Sequence, residues 1–275
     1  MPADSRPPRD FRKMAAGIGR ALMRRTVCAA LAAPMAAPPL EAQPASPPAR
    51  SSLPFGVGEE LVYRASLGRF GGTGRGTMRV EALEQVGGRA TYRLHSDLRG
   101  RLLGLGAQDH AQSWLDPVRM ASLRFTKRER NPLSSFTEAV DLYPERRRWV
   151  AGSDSGELLT DAPLDELSFI YFLRTLPLGD GDEYVFDRHY DAARNPTRVR
   201  VVARERLTVP AGEFRTIVVE MRVRDARRYD DEGVVRLHLT DDARRIPVRI
   251  ETRLRLGGPT VLALESMTGG AGPAP

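Results

Sequence analysis

Four histidines, His95, His110, His189 and His238, are the residues of this 275-residue chain best suited to acid–base or metal chemistry. His110 follows Asp109, and His189 stands two places after Asp187, so two acid–base pairs are conceivable if the fold closes them. A hydrolase built on His110 or His189 would also need a nucleophile. No Gly-x-Ser-x-Gly elbow offers a serine, and the single cysteine, Cys28, lies far from every histidine. No two histidines stand at metal-ligand spacing and no cysteine can assist them, so the sequence predicts no metal and no cofactor. Isolated histidines on the polar side of strands are ordinarily solvated residues. No catalytic residue is assigned, and the chain is read as a non-enzyme.

Three other groups of residues have a chemical and a plain explanation. The stretch Gly71-Gly72-Thr73-Gly74-Arg75-Gly76 is rich in glycine, as phosphate loops are. Such loops need a strand before and a helix after, and here a strand follows, so a hairpin turn is expected over 68–76. Carboxylates cluster at Asp230-Asp231-Glu232 and Asp241-Asp242, without the ligand spacing of a calcium loop. Aspartate favours turns through hydrogen bonds to its own backbone, and that accounts for both. Arg198, Arg200, Arg204 and Arg206, with Arg249, Arg253 and Arg255, form outward stripes that could meet an anionic surface. Glu205, Glu213, Glu220 and Glu251 are interleaved with them, and cross-strand pairing explains the stripes without a ligand.

The elements that carry these residues are mostly strands. From Ile246 to Leu256, apolar residues (Ile246, Val248, Ile250, Leu254, Leu256) alternate with polar ones, the period of a strand with one dry and one wet face. Similar runs begin at Leu61, Met78, Tyr92, Gln108, Ala121, Phe136, Arg146, Tyr184, Val199, Ile217, Val235 and Val261. About twelve antiparallel strands are expected, in an all-β fold: a curved sheet or open half-barrel with one covering helix. No repeat of 20–50 residues suggests a propeller or solenoid.

The helix is expected between Asp161 and Pro177. Asp161 or Asp165 would cap it, and Pro177 with Gly179 would stop it. Leu164, Leu167, Ile170, Tyr171, Phe172, Leu173 and Leu176 cover more than one of its faces, so it must be enclosed on several sides. If it lids a cavity, Phe169, Tyr171 and Phe172 are the candidate ligand-binding residues. The competing account is that these rings complete the core.

The first fifty residues differ from the rest. They hold eight of the 42 Lys and Arg and three of the 35 Asp and Glu, so the net charge of +7 divides into +5 there and +2 over 51–275. A nearly balanced body removes the argument for nucleic acid. Arg24-Arg25, the apolar stretch from Thr26 to Ala37 and Leu40-Glu41-Ala42 have the order of a cleaved export signal over 1–42, with Met23 as an alternative start. The apolar stretch is too short for a stable membrane anchor. A Pro/Ser/Ala linker follows over 43–54, then one mainly-β domain over 55–267 and a short disordered tail over 268–275. The expected location is the periplasm.

Four pieces of sequence resemble the exported bacterial proteins grouped as domain-of-unknown-function family 3108. They are Pro54-Phe55-Gly56-Val57-Gly58-Glu59, Asp165-Glu166-Leu167-Ser168, Val209-Pro210-Ala211-Gly212-Glu213-Phe214 and Leu239-Thr240-Asp241-Asp242-Ala243-Arg244-Arg245-Ile246-Pro247-Val248. A tryptophan often present in the strand that leads into the last of these pieces is replaced here by His238 or Leu239. The resemblance implies an envelope location and a mainly β fold, by analogy like the open half-barrels of lipoprotein carriers, and it brings no activity and no catalytic residue. The expected function is binding of an apolar or lipid-like ligand, or of an envelope protein partner. The alternative is a structural or assembly factor acting through a sheet edge.

Overall fold

The computed structural model describes residues 53–68, 71–102, 104–132, 134–229, 232–254 and 258–269. The expected leader, its Cys28 and the linker to residue 52 lie outside these, as do Asp230, Asp231, Arg255 and Leu256.

The described residues form fourteen strands. The first eight are β1 (Glu60–Leu67), β2 (Gly72–Val86), β3 (Arg89–Leu102), β4 (Leu105–Asp116), β5 (Ala121–Asn131), β6 (Ser134–Tyr143), β7 (Arg148–Ala151) and β8 (Asp154–Glu157). One helix, α1 (Glu166–Leu173), separates them from β9 (Glu183–Phe186), β10 (Thr197–Val209), β11 (Gly212–Arg224), β12 (Glu232–Thr240), β13 (Pro247–Leu254) and β14 (Gly258–Thr268). All fourteen belong to one sheet in the order β8 to β1, then β14 back to β9. Two antiparallel meanders are therefore joined where the first and last strands pair, Leu61 opposite Met267 and Ala65 opposite Leu262. The sheet ends at β8 and β9, so it is open, as the alternation of the sequence predicts.

Alternation decides the faces. On β1, Leu61, Tyr63, Ala65 and Leu67 are buried while Arg64 and Ser66 are exposed. On β10, Thr197, Val199 and Val201 are buried between exposed Arg198 and Arg200. Inward side chains from both meanders and from α1 form one core, centred on Leu61, Tyr63, Leu94, Phe125, Tyr171, Ile217 and Leu237. Register shifts leave one extra residue each on β14 (Glu265), β2 (Glu81), β5 (Leu123), β10 (Val202) and β13 (Val248), and these bulges bend the strands.

Three expectations are corrected. The 68–76 turn is shorter, because Gly72, Gly74 and Gly76 already lie in β2. An added Cβ on Gly74 would come within 2.9 Å of Gly100 Cα on β3, so glycine here permits close approach of two strands rather than a turn. The strand expected from Tyr184 to Tyr190 stops at Phe186. Beyond it, Leu164 and His189 form an isolated parallel bridge, with Leu164 N donating to Arg188 O at 2.6 Å and Tyr190 N to Leu164 O at 3.0 Å. Finally, α1 has only eight residues, and Pro177 and Gly179 lie beyond its end. The unanticipated β8 reads Asp-Ser-Gly-Glu, which has no apolar residue for a periodicity to show.

A two-turn helix has little stability of its own, so both ends of α1 are tied to the sheet. At its start Asp165 accepts the backbone N–H of Leu167 and of Ser168, each at 2.9 Å, and Ser168 Oγ accepts from Asp165 N, a reciprocal capping box. The other carboxylate oxygen accepts from Ser113 Oγ of β4 at 2.6 Å and Ser122 Oγ of β5 at 2.7 Å. Complete burial pushes the Asp165 carboxyl up, and these hydrogen bonds pull it part of the way back. At the far end Arg174 makes a bidentate pair with Glu59 at 2.6 and 2.8 Å, both residues fully buried. The same guanidinium donates to Pro54 O and Arg244 O and lies against the rings of Phe55 and Tyr171. Three of the four quoted sequence pieces thus meet α1: one caps it, and two hold Arg174.

Candidate functional site

Between α1 and the sheet lies a cavity of about 220 Å³. Its wall is mainly apolar: Met78, Leu98 and Ala111 from β2–β4, Phe169 and Ile170 from α1, and Met221, Val235, Ile250 and Leu262 from β11–β14. Of the three candidate ligand residues, Phe169 is in this wall. Tyr171 is packed edge-on against Phe55, with ring centroids 4.9 Å apart, and Phe172 against Phe186 at 5.1 Å, under the Arg188 guanidinium. Successive helix residues point in different directions, so three neighbouring aromatics could not all face one cavity.

One side of the wall is charged. Lys127 of β5, buried, binds Glu166 and lies 3.1 Å from Asp109 of β4. Arg194 lies 3.3 Å from Glu166 and 3.0 Å from Asp225. Arg228, in the connection from β11 to β12, reaches Glu129 at 3.2 Å and both Asp109 and Glu166 at 3.5 Å. Burial alone would raise the Glu166 carboxyl, but Arg228, Lys127 and Arg194 together overturn this and hold it well below the ordinary carboxylate range. Three cations therefore face four carboxylates, and each charge has an opposite partner.

His189 lines the same cavity. Asn195 holds its backbone at both ends, accepting from His189 N and donating to His189 O, each at 2.9 Å. Asp191 N donates to His189 Nδ1 at 3.0 Å, which assigns the proton of the neutral ring to Nε2. Burial and then the Arg194 charge push the imidazole well below its usual range, so it is neutral. Nε2 is buried and has no hydrogen-bond partner, which makes it an unused donor.

The pairs suggested by sequence separate. Asp187 is exposed while His189 is buried. Asp109 and His110 are successive strand residues on opposite faces: Asp109 lines the cavity, and His110 sits outside, 3.4 Å from Asp97. His238 lies between Glu205 at 3.1 Å and Glu251 at 3.6 Å. The arginine stripes are paired with carboxylates, Arg198 with Glu232, Arg206 with Glu213 and Arg249 with Glu251. Asp242 is a turn residue, its Oδ1 accepting from Thr240 Oγ1, Arg244 N and Arg245 N. Sequence reasoning missed Lys127, Glu166, Arg194, Asp225 and Arg228 as a group. One signal was available: Glu166 is the one charged residue of α1, whose other residues are apolar except Ser168.

A model of the protein family of unknown function DUF3108 matches residues 62–264. The chain belongs to this family. No curated protein matches the DUF3108 chain. It is similar to the crystal structure of a β-barrel-like protein of the DUF1849 domain from Brucella abortus, with 11% identity, 76% of this chain and 96% of that chain covered, and a TM-score of 0.48. A candidate lipoprotein from Parabacteroides distasonis is similar at 12% identity, with 78% and 97% covered and a TM-score of 0.31. No helix among the described residues is long and apolar enough to cross a membrane.

Proposed function

We propose that this DUF3108 protein is exported and binds a small amphipathic, lipid-like molecule in the cavity beneath α1. The observation that carries the proposal is the composition of the wall: a broad apolar surface with one polar side on which each charge is already engaged with an opposite one. Such a site gains little from a charged ligand, whose ion would need a counter-charge that is already engaged. It suits a molecule with an apolar body and a neutral hydrogen-bond acceptor, placed to accept from His189 Nε2. A volume of about 220 Å³ lies below the roughly 300–1,000 Å³ of drug-sized pockets. The ligand is accordingly small, or only one end of it is enclosed. The reading of 1–42 as a cleaved leader supports export to the periplasm.

The alternative of assembly through a sheet edge has weaker support. Both edges, β8 and β9, are only four residues long, and β8 carries Asp154 and Glu157; short and charged edges resist added strands. The reading as a hydrolase also has weaker support: His189 is oriented by a backbone N–H rather than by a carboxylate, and His110, though 3.4 Å from Asp97, lies on the outer face away from the cavity.

Protein purified without detergent, examined by native mass spectrometry and titrated with a fluorescent fatty-acid or fatty-alcohol probe, tests the proposal. Saturable binding that weakens in Ile250→Phe, which fills the cavity, while the fold persists by circular dichroism, is the expected result. Absence of both a co-purified species and a saturable probe site would sink it.

A further inference from the structure

We propose that His95, Asp97 and His110 form a binding site for a divalent transition metal of borderline softness, zinc above all, on the outer face of β3 and β4. The cavity and its proposed ligand play no part in this site, which lies on the opposite side of the sheet.

The strand geometry assembles it. His95 and Asp97 are two residues apart on β3 and so share a face. Asp97 stands directly opposite His110 on β4, and His95 is opposite Gln112, which makes His95 and His110 diagonal neighbours. The two imidazole rings meet edge to face with centroids 4.8 Å apart, and His110 Nδ1 lies 3.4 Å from Asp97 Oδ1. One ligand atom from each of the three residues lies within 4.8 Å of the other two. Bonds of 2.0–2.2 Å in a tetrahedral site place donors about 3.3 Å apart, so closure needs a ring to move by roughly 1.5 Å. His110, a third exposed, has the freedom to do so and leaves an approach from solvent.

Two further features favour an ion over a plain surface cluster. His95 Nδ1 and Asp97 Oδ1 are both buried without a hydrogen bond, an arrangement that costs free energy unless something else satisfies them. The carboxylates are also held from behind. Arg99 takes Asp97 Oδ2 at 2.7 Å and leaves Oδ1 toward His110. Glu81, the extra residue of the β2 bulge, is held through Oε2 by Arg93 at 2.9 Å and brings Oε1 within 3.3 Å of His95 Nδ1. It stands beside the site as a further carboxylate rather than behind it, although Arg79 also reaches Oε1 at 3.3 Å. Outer partners that fix a ligand's orientation are a regular part of metal sites. Two imidazoles and a carboxylate select zinc-like ions over magnesium or calcium, which prefer oxygen donors.

The test is calorimetric titration of the full chain, without a histidine tag, using zinc chloride, with magnesium chloride as the hard-ion comparison. The expected result is one zinc per chain and no saturable magnesium. His110→Ala and Asp97→Asn, both on the outer face, should weaken zinc by at least the roughly 10–100-fold that loss of even an outer partner costs. A His189→Gln/His238→Gln variant should bind as the parent does. Circular dichroism establishes that each variant is folded. No saturable zinc binding by the parent, unchanged affinity in His110→Ala, or loss only in the His189/His238 variant would overturn the assignment.

Discussion

Arg174 and Glu59 show how much can depend on one buried pair. Each is removed from water, and each satisfies the other with two hydrogen bonds, so either alone would be an uncompensated charge. Glu59→Gln is expected to cost about 3–5 kcal/mol in urea denaturation. Adding Arg174→Met should recover part of that loss, because it removes the stranded charge; a double variant as unstable as the sum of the singles would contradict this. His189 carries a pH dependence of defined sign. Its folded-state value is depressed by burial, so the unfolded chain binds a proton first as pH falls through the ordinary 6.5. Stability is therefore present in full above about pH 6.5 and is lost below it, by up to about 1.4 kcal/mol per pH unit for one such group. His238, also depressed by burial, adds to the slope. Glu166 is depressed too, but its contribution is lost only below its ordinary 4.5. His189→Gln should accordingly flatten the stability profile between pH 5 and 6.5 and leave the decline below pH 4.5 in place.

Among elements, α1 depends most on its anchors. Eight residues cannot form a lasting helix alone, and Asp165 both caps the first turn and accepts from two buried serines of the sheet. Asp165→Ala loses the cap, worth about 0.5–2 kcal/mol, and strands buried hydroxyls, worth about 1–3 kcal/mol more. A total loss of about 2–4 kcal/mol is expected in denaturant, with Asp165→Asn distinctly milder because its amide oxygen can still accept the backbone N–H groups. Equal losses would mean that the charge, rather than the cap geometry, is what the site requires.

For the molecule as a whole, the two meanders are paired strand to strand through β1 and β14 on one side only. On the other side they are held by the Leu164–His189 bridge and by Arg228, which carries the β11–β12 connection across to β4, β5 and α1. Arg228→Met should therefore speed amide hydrogen exchange in β8, α1 and β9 while leaving β1 and β14 as protected as before. Uniform acceleration across all strands would show instead that the sheet opens as a single unit.

The alternation of apolar and polar residues was enough to determine most of the antiparallel strands, their buried faces and the enclosure of α1, though not β8 or the end of β9. Strand residues have a period of two, and a helix that is apolar on all sides must be covered. The same pattern also showed which charges lie outside; most arginines of the stripes pair with a carboxylate within two strands. It could not show which strands become neighbours. Glu59 meets Arg174 across 115 residues, and Arg228 meets Asp109 across 119. His95 reaches His110 only because β3 and β4 pair in one register of many that alternation allows. Period fixes a face and leaves the partner free. The cavity, the ion cluster around Glu166 and the histidine pair on the outer face therefore exist only in the folded chain, where hydrogen-bond register and one contiguous core select a single set of neighbours.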